Sequence, residues 1–196
     1  MQLLGNIYDY ILRKRKINLT ILGATSGDTG SAAIHGCAKS KNVKIFILFT
    51  LNRFSEIQRK KMTTVKKKNV FNIAVKGNFD DCQRMVKNYF KLNNENKKLN
   101  LAAVNSINWV RIMGQIVYYF WSYFRVSNRF DPLSFVVPSG NFGNAYAGYI
   151  SKKMGLPIKK IIIGSNKNDI LTRFFKTGKM KIKKTLTSFC LLYTSP

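Results

Sequence analysis

Two short runs in this chain combine small, polar and backbone-permissive residues in an order suited to holding an anion. One is GATSGDTGSAAIHG (23–36) and the other is VVPSGNFGNAYAG (136–148). Each follows an apolar stretch and leads into a helix-like one. Hydroxyls and backbone N–H groups then gather at a helix N-terminus, where the first turn has donors that no carbonyl of the helix meets. Such a place suits a carboxylate or a phosphate. The earlier run is not a nucleotide-binding P-loop, because no lysine follows Gly30. Asp28 is its awkward member, since a carboxylate repels anions; its mildest role is to cap the helix or brace the loop. In the later run Pro138 ends a strand, and Gly140 and Gly143 permit unusual dihedrals and close backbone approach. Ser139 and Asn141 add polar groups before a helix that starts near Gly143. Either loop alone is compatible with an ordinary capped turn. A pair of them, each closing a buried strand, suggests one cradle for a cofactor phosphate and one for a substrate carboxylate.

The elements that must position these loops alternate along the chain. Helical patterns cover 1–16, 27–39, a stretch from the N-cap candidate Ser55 to Lys68, 79–92, 109–124 and 145–154. Strand patterns cover 19–22, 43–49, 70–75, 134–138 and 160–164. Strand, loop, helix, strand is the order of a parallel α/β sheet, in which ligands bind at the carboxyl ends of the strands. The Asn- and Lys-rich stretch 91–100 is the expected loop or boundary between two lobes. The run IMGQIVYYFWSYF (112–124) is too short to span a bilayer and contains Gln115, so a buried helix is expected there.

The charge balance is extreme: 34 Lys and Arg stand against 8 Asp and Glu, a formal charge of +26 over 196 residues. Such a value suggests a nucleic-acid or anionic-membrane partner. Yet the basic residues are mostly lysines scattered along the chain, without a basic stripe interleaved with aromatics. Lys, Asn, Ile, Phe and Tyr, all abundant here, are the residues of AT-rich codons, so codon bias accounts for the composition. Cys37, Cys82 and Cys190 show no metal-like or redox spacing, which fits a reducing cytoplasm. His35 has no acidic or thiol neighbour at ligand spacing and reads as a packed or surface residue. No metal site is expected. The N-terminus mixes charged and apolar residues and does not read as a secretory signal.

Five stretches together resemble the threonine synthases: ATSGDTGSAA (24–33), GNFDDCQ (77–83), NSIN (105–108), VPSGNFGN (137–144) and GLPIKKIIIGSNKNDILTRFFKTG (155–178). More broadly they are similar to the pyridoxal-phosphate enzymes of the tryptophan-synthase-β type, fold type II. The resemblance implies a two-lobed α/β fold with parallel sheets, truncated at both ends. A smaller lobe would occupy 1–100, part of a larger lobe 101–188, and a tail 189–196. It implies pyridoxal 5'-phosphate as cofactor, with its phosphate on Gly140, Asn141, Phe142, Gly143 and Asn144. It implies that Ser26, Gly27, Asp28 and Thr29 hold the carboxylate of an amino-acid substrate, with Asp28 shaping the loop. Asn105, Ser106 and Asn108 would line the substrate pocket, and Arg111 would meet the substrate phosphate; the alternative for Arg111 is a surface helix position. Asn166 and Asp169 are read as a loop brace and an N-cap. The implied reaction converts O-phospho-L-homoserine and water into L-threonine and phosphate. It takes place in the cytoplasm, with no nucleic-acid or membrane partner.

The chain also departs from the family pattern. The family's Schiff-base lysine belongs to an FKD-like motif just upstream of a segment like MQLLGN, so it is expected before Met1, which then reads as an internal methionine. No catalytic residue is assigned within the chain. CLLYTSP (190–196) reads as the translation of a transposase-type sequencing adapter, and 189–196 are set aside as an artefact. The expectation is a fragment, inactive alone, of a parent lyase. Two other readings stand beside it. One is a sister enzyme of the same fold, such as a serine or threonine dehydratase. The other is a basic nucleic-acid-binding module, which would show steeply salt-dependent binding.

Overall fold

The computed structural model describes residues 1–52, 54–96, 99–104, 108–127, 130–138, 142–165 and 169–181. They fall into two compact units, Met1–Asn105 and Ser106–Pro196. Elements of the first are α1 (Gln2–Arg15), β1 (Leu19–Thr25), α2 (Asp28–Cys37), β2 (Val43–Thr50), α3 (Glu56–Thr63), β3 (Val70–Val75), α4 (Phe79–Asn96) and β4 (Leu101–Ala103). Its sheet is parallel, in the order β3-β2-β1-β4. Parallel strands are covered on both faces and so read as continuous apolar runs; β2, VKIFILFT, is the plainest case. Ile21, Val43, Ile45, Ile47 and Phe49 form the core with Ala33, Ile34 and Cys37 of α2 and Met62 of α3. The α1 and α2 backbones touch closely: a Cβ on Gly5 would collide with the Gly36 carbonyl oxygen.

Each strand of this sheet is entered through an asparagine: Asn18, Asn42, Asn69 and Asn100. The N–H groups of Leu19, Thr20 and Ile45 donate to the carbonyls of Asn42, Asn100 and Asn69, each at 2.8 Å. Asn69 Nδ2 also donates to the Ser40 and Val43 carbonyls at 3.0 and 2.9 Å, and Asn100 Nδ2 to the Asn18 carbonyl at 3.1 Å. These bonds pin the strand register at the end of the sheet opposite the glycine loop.

Two expectations need correcting here. The stretch 91–100 is not all loop, because α4 continues to Asn96. Asn93 then closes the turn: its Nδ2 donates to the Leu99 carbonyl at 2.9 Å and its Oδ1 accepts the Leu99 N–H at 3.0 Å. A polar composition suggested a loop, whereas the apolar stripe of α4 carries the helix further. Leu101–Ala103, placed just past the expected lobe boundary, pairs with Thr20, Ile21 and Leu22. A strand this short offers too little sequence for its period to register.

The second unit contains α5 (Trp109–Val126), β5 (Leu133–Pro138), α6 (Gly143–Lys153), β6 (Ile158–Gly164) and α7 (Ile170–Thr177), with β5 and β6 paired in parallel. Ile112, Tyr119, Tyr123, Val137, Ala145, Ala147, Leu156 and Ile158 form its core. The expected burial of α5 is only half correct. Trp109, Met113, Val117 and Trp121 are each at least half exposed. They recur every fourth residue along one stripe, while Ile112, Tyr119 and Tyr123 line the packed stripe. An apolar run with few polar residues conceals which stripe packs, because both sides read alike. Among the described residues no helix is long and apolar enough to cross a membrane.

Candidate functional site

The first glycine loop lies at the carboxyl end of β1, as the parallel topology requires. Thr25, its last strand residue, is buried. Thr25 Oγ1 accepts the N–H of Gly27 at 3.1 Å and of Gly30 at 3.0 Å, and donates to the Gly27 carbonyl at 2.8 Å. A Cβ on Gly30 would lie 2.5 Å from Thr25 Cγ2, so glycine there lets the helix start sit directly on the threonine. Gly27 takes the N-cap position of α2 and Asp28 is its first helical residue, exposed to solvent. The expected capping role of Asp28 is therefore corrected: Thr25 supplies the brace. Asp28 adds a carboxylate where the helix dipole is positive, which is favourable. The N–H groups of Asp28 and Thr29 lie in the first turn, where the helix offers no acceptor, and the Ser26 and Thr29 hydroxyls flank them. That set is suited to a small carboxylate.

The second loop ends β5 at Pro138 and starts α6 at Gly143. Phe142 holds the N-cap position in the left-handed region, with φ 66°. Such a conformation costs a non-glycine residue about 1–2 kcal/mol. It is retained here by packing, since the Phe142 ring stacks on Phe175 of α7 with centroids 5.6 Å apart. The unusual dihedral expected of Gly143 thus belongs to its neighbour, and Gly143 is buried in the helix start. Asn144 follows, exposed, with its side-chain Oδ1 2.8 Å and its carbonyl oxygen 3.0 Å from the Tyr119 hydroxyl of α5. The first turn of α6 carries no acidic residue. Amide donors at the positive end of a helix, without a carboxylate beside them, fit a phosphate dianion. Gly140 and Asn141, assigned to this cradle, lie outside the described residues.

At the head of α5, Asn108 Oδ1 accepts the Val110 N–H at 3.0 Å and so caps the helix. Arg111 sits in the same first turn, half-buried, and burial lowers the pKa of its guanidinium. A cation at the positive end of a helix opposes the dipole, and partial burial opposes it further. This half-buried place is compatible with either reading of Arg111, a contact to a substrate phosphate or a helix position at the surface. Asn105 and Ser106 lie outside the described residues, as does Asn166. Asp169 occupies the N-cap position of α7, but its Oδ1 takes the Arg173 Nε at 2.8 Å rather than a capping N–H. His35 is exposed on α2, and Cys37 and Cys82 are buried free thiols. Among the described residues no cluster of His, Cys, Asp or Glu is arranged to hold a metal.

The structure thus gathers Ser26 to Thr29 at one helix start and Phe142 to Asn144 at another. Sequence reasoning missed the two hydroxyls that brace them. Thr25 was legible in principle, because a threonine just before a glycine turn commonly bonds to the backbone a few residues on. Tyr119 had no local signal at all.

The sequence pattern of the family described as pyridoxal-phosphate dependent enzyme matches residues 3–191. Threonine synthase from Pseudomonas aeruginosa is 52% identical over 186 residues, which cover 95% of this chain and 39% of that protein. Threonine synthase from Saccharomyces cerevisiae is 50% identical over 188 residues, covering 91% of this chain and 37% of that protein. The crystal structure of pyridoxal-phosphate-bound threonine synthase from Brucella melitensis superposes with a TM-score of 0.86 at 45% identity, covering 95% of this chain and 40% of that one. The chain therefore spans about two fifths of the length of the curated relatives it matches.

Proposed function

The chain belongs to the pyridoxal-phosphate-dependent enzyme family, and from that premise we propose that it is part of a threonine synthase, a lyase that converts O-phospho-L-homoserine and water into L-threonine and phosphate. The observation that carries the reading is the likeness to threonine synthases, which covers 95% of the chain. In this reading Gly143 and Asn144, at the head of α6, hold the cofactor's phosphate with Gly140, Asn141 and Phe142. When bound, the cofactor supplies an electron sink for carbanions formed on the substrate. The Asp28 and Thr29 N–H groups and the Ser26 and Thr29 hydroxyls hold the substrate carboxylate, and Thr25 keeps Gly27 and Gly30 in place beneath them. Arg111 receives the substrate's phosphate, where a fixed positive charge stabilises the departing anion. Asn108 sets the start of the helix that carries Arg111, with Asn105 and Ser106 beside it in sequence. The substrate is a small anion and no nucleic acid takes part. We place the reaction in the cytoplasm, where free thiols such as Cys37 and Cys82 persist.

The test is a chimera in which the matching segment of the Pseudomonas aeruginosa relative is replaced by this chain's residues. Phosphate release and threonine formation from O-phospho-L-homoserine are expected. A folded chimera that releases no phosphate, or that deaminates serine or threonine instead, overturns the reading.

A further inference from the structure

We propose that Tyr119 is a positioning residue for the cofactor's phosphate site, one that fixes the Asn144 side chain so that its amide presents donors, not an acceptor, to the anion. The proposal rests on the reading of the α6 head as that site. Tyr119 stands mid-way along α5, 4% exposed, with its ring against Phe135 of β5 at 4.9 Å between centroids. Packing at this place needs only a ring. The hydroxyl is what packing leaves unexplained, and it goes to Asn144 twice over: 2.8 Å to Oδ1 and 3.0 Å to the main-chain oxygen. Both partners are acceptors and the tyrosine has one proton, so the two oxygens share it in a three-centre bond whose shorter arm is Oδ1. With Oδ1 engaged by that proton, the Asn144 NH2 is the end left for another group, and Asn144 is exposed. An asparagine turned the other way would offer an acceptor to a phosphate and repel it.

The approach of the ring is built into α6. Gly148 lies one turn beyond Asn144, and a Cβ there would come within 2.7 Å of two Tyr119 ring atoms. The missing side chain is the channel through which the tyrosine reaches along the helix to its head. Burial also pushes the Tyr119 hydroxyl up to about 12, so it keeps its proton at neutral pH. Among the described residues, its hydrogen-bond partner Asn144 and its ring partner Phe135 carry no titratable group.

The test uses the full-length chimera and two readouts. Tyr119→Phe keeps the ring and the Gly148 contact while removing the donor. Pyridoxal phosphate affinity, measured by titrating the apo-protein, is expected to fall about tenfold, the size of a hydrogen bond to a charged group. In an Asn144→Ala background the same substitution is expected to change affinity little, because the effect travels through Asn144. Unchanged affinity in Tyr119→Phe, or an equal loss in the Asn144→Ala background, overturns the proposal. The second readout needs no cofactor: the side-chain amide protons of Asn144, resolved by selective labelling, should be dispersed in the apo-protein and collapse towards free-amide positions in Tyr119→Phe. Signals that do not move overturn the proposal equally. If the unsubstituted chimera takes up no cofactor, the family reading of the site fails while the amide signals still judge Tyr119.

Discussion

Thr25 and Tyr119 do comparable work at the heads of α2 and α6, but they reach it across different lengths of chain. Thr25 braces Gly27 and Gly30, two and five residues away, from the end of the strand that leads into the loop. Tyr119 reaches Asn144 across 25 residues, from a different helix. The local brace takes up the backbone N–H groups of Gly27 and Gly30. The distant brace takes up oxygens and leaves amide donors facing outward. A loop stabilised from within forms once β1 and α2 meet. A loop stabilised from α5 forms only when that helix packs on α6, so its geometry inherits every disturbance of that interface.

The sharpest way to break this comparison is to crowd the two contacts. Gly148→Ala pushes a methyl into the Tyr119 ring at 2.7 Å, and Gly30→Ala pushes one into Thr25 at 2.5 Å. Each should destabilise its unit by about 2–3 kcal/mol, the upper part of the range for overpacking a filled site, read as a drop in the urea midpoint. Amide exchange should separate them: Gly148→Ala deprotects residues at the head of α6 and leaves Gly27 and Gly30 protected. Deprotection of Gly27 by Gly148→Ala would end the claim that the loops are braced independently.

Next in size is Thr25→Val, which keeps the shape and deletes the hydroxyl. The Gly27 and Gly30 N–H groups would remain in a buried place without their acceptor, costing about 1–3 kcal/mol. Thr25→Ser should restore most of it in the same urea titration. Tyr119→Phe should cost less, about 1 kcal/mol or under, because water can reach the exposed Asn144. A larger loss from Tyr119→Phe than from Thr25→Val would reverse the assignment of which loop depends more on its brace.

The smallest expected effect is in pH dependence at mildly alkaline pH, where the shifts of the thiol and phenol groups only begin to act. Burial raises the Cys37 thiol from 9.0 to about 11 and the Tyr119 hydroxyl from 10.0 to about 12. Both groups are acids whose folded pKa lies above the unfolded one. Their neutral forms are favoured in the fold, so the stability they lend is complete below the unfolded pKa and declines as pH rises through the folded value. The first unit should therefore begin to weaken near pH 9, ahead of the second, which follows from about pH 10. Denaturant midpoints followed at Cys37 and at Tyr119 check the order, and Cys37→Ala should shrink the earlier step, leaving the part due to the Cys82 thiol, which burial also raises.

Much of the architecture was legible because its signals are local. Continuous apolar runs such as VKIFILFT identify strands covered on both faces. Ser55 was readable as an N-cap, and its Oγ accepts the Gln58 N–H at 3.3 Å. Both glycine loops were readable as helix starts at strand ends. Their exact braces were not, nor was the extent of α4 past its asparagines, nor β4, whose three residues carry no period of their own. The α5 stripe that faces solvent was hidden for a related reason: Trp109 and Tyr119 are equally apolar to a sequence pattern, and only the position of α6 tells them apart.

By itself, then, the sequence determined the order of elements, the parallel α/β character and the positions of the two anion-suited turns, because periodicity and turn chemistry act over a few residues. The tertiary structure decided the strand order β3-β2-β1-β4, which face of α5 is buried, that Phe142 rather than Gly143 takes the left-handed position, and that a tyrosine hydroxyl sets the polarity of Asn144. These are contacts between segments far apart in the chain. They exist only once packing has brought the partners together, and nothing in the local pattern of either partner announces the other.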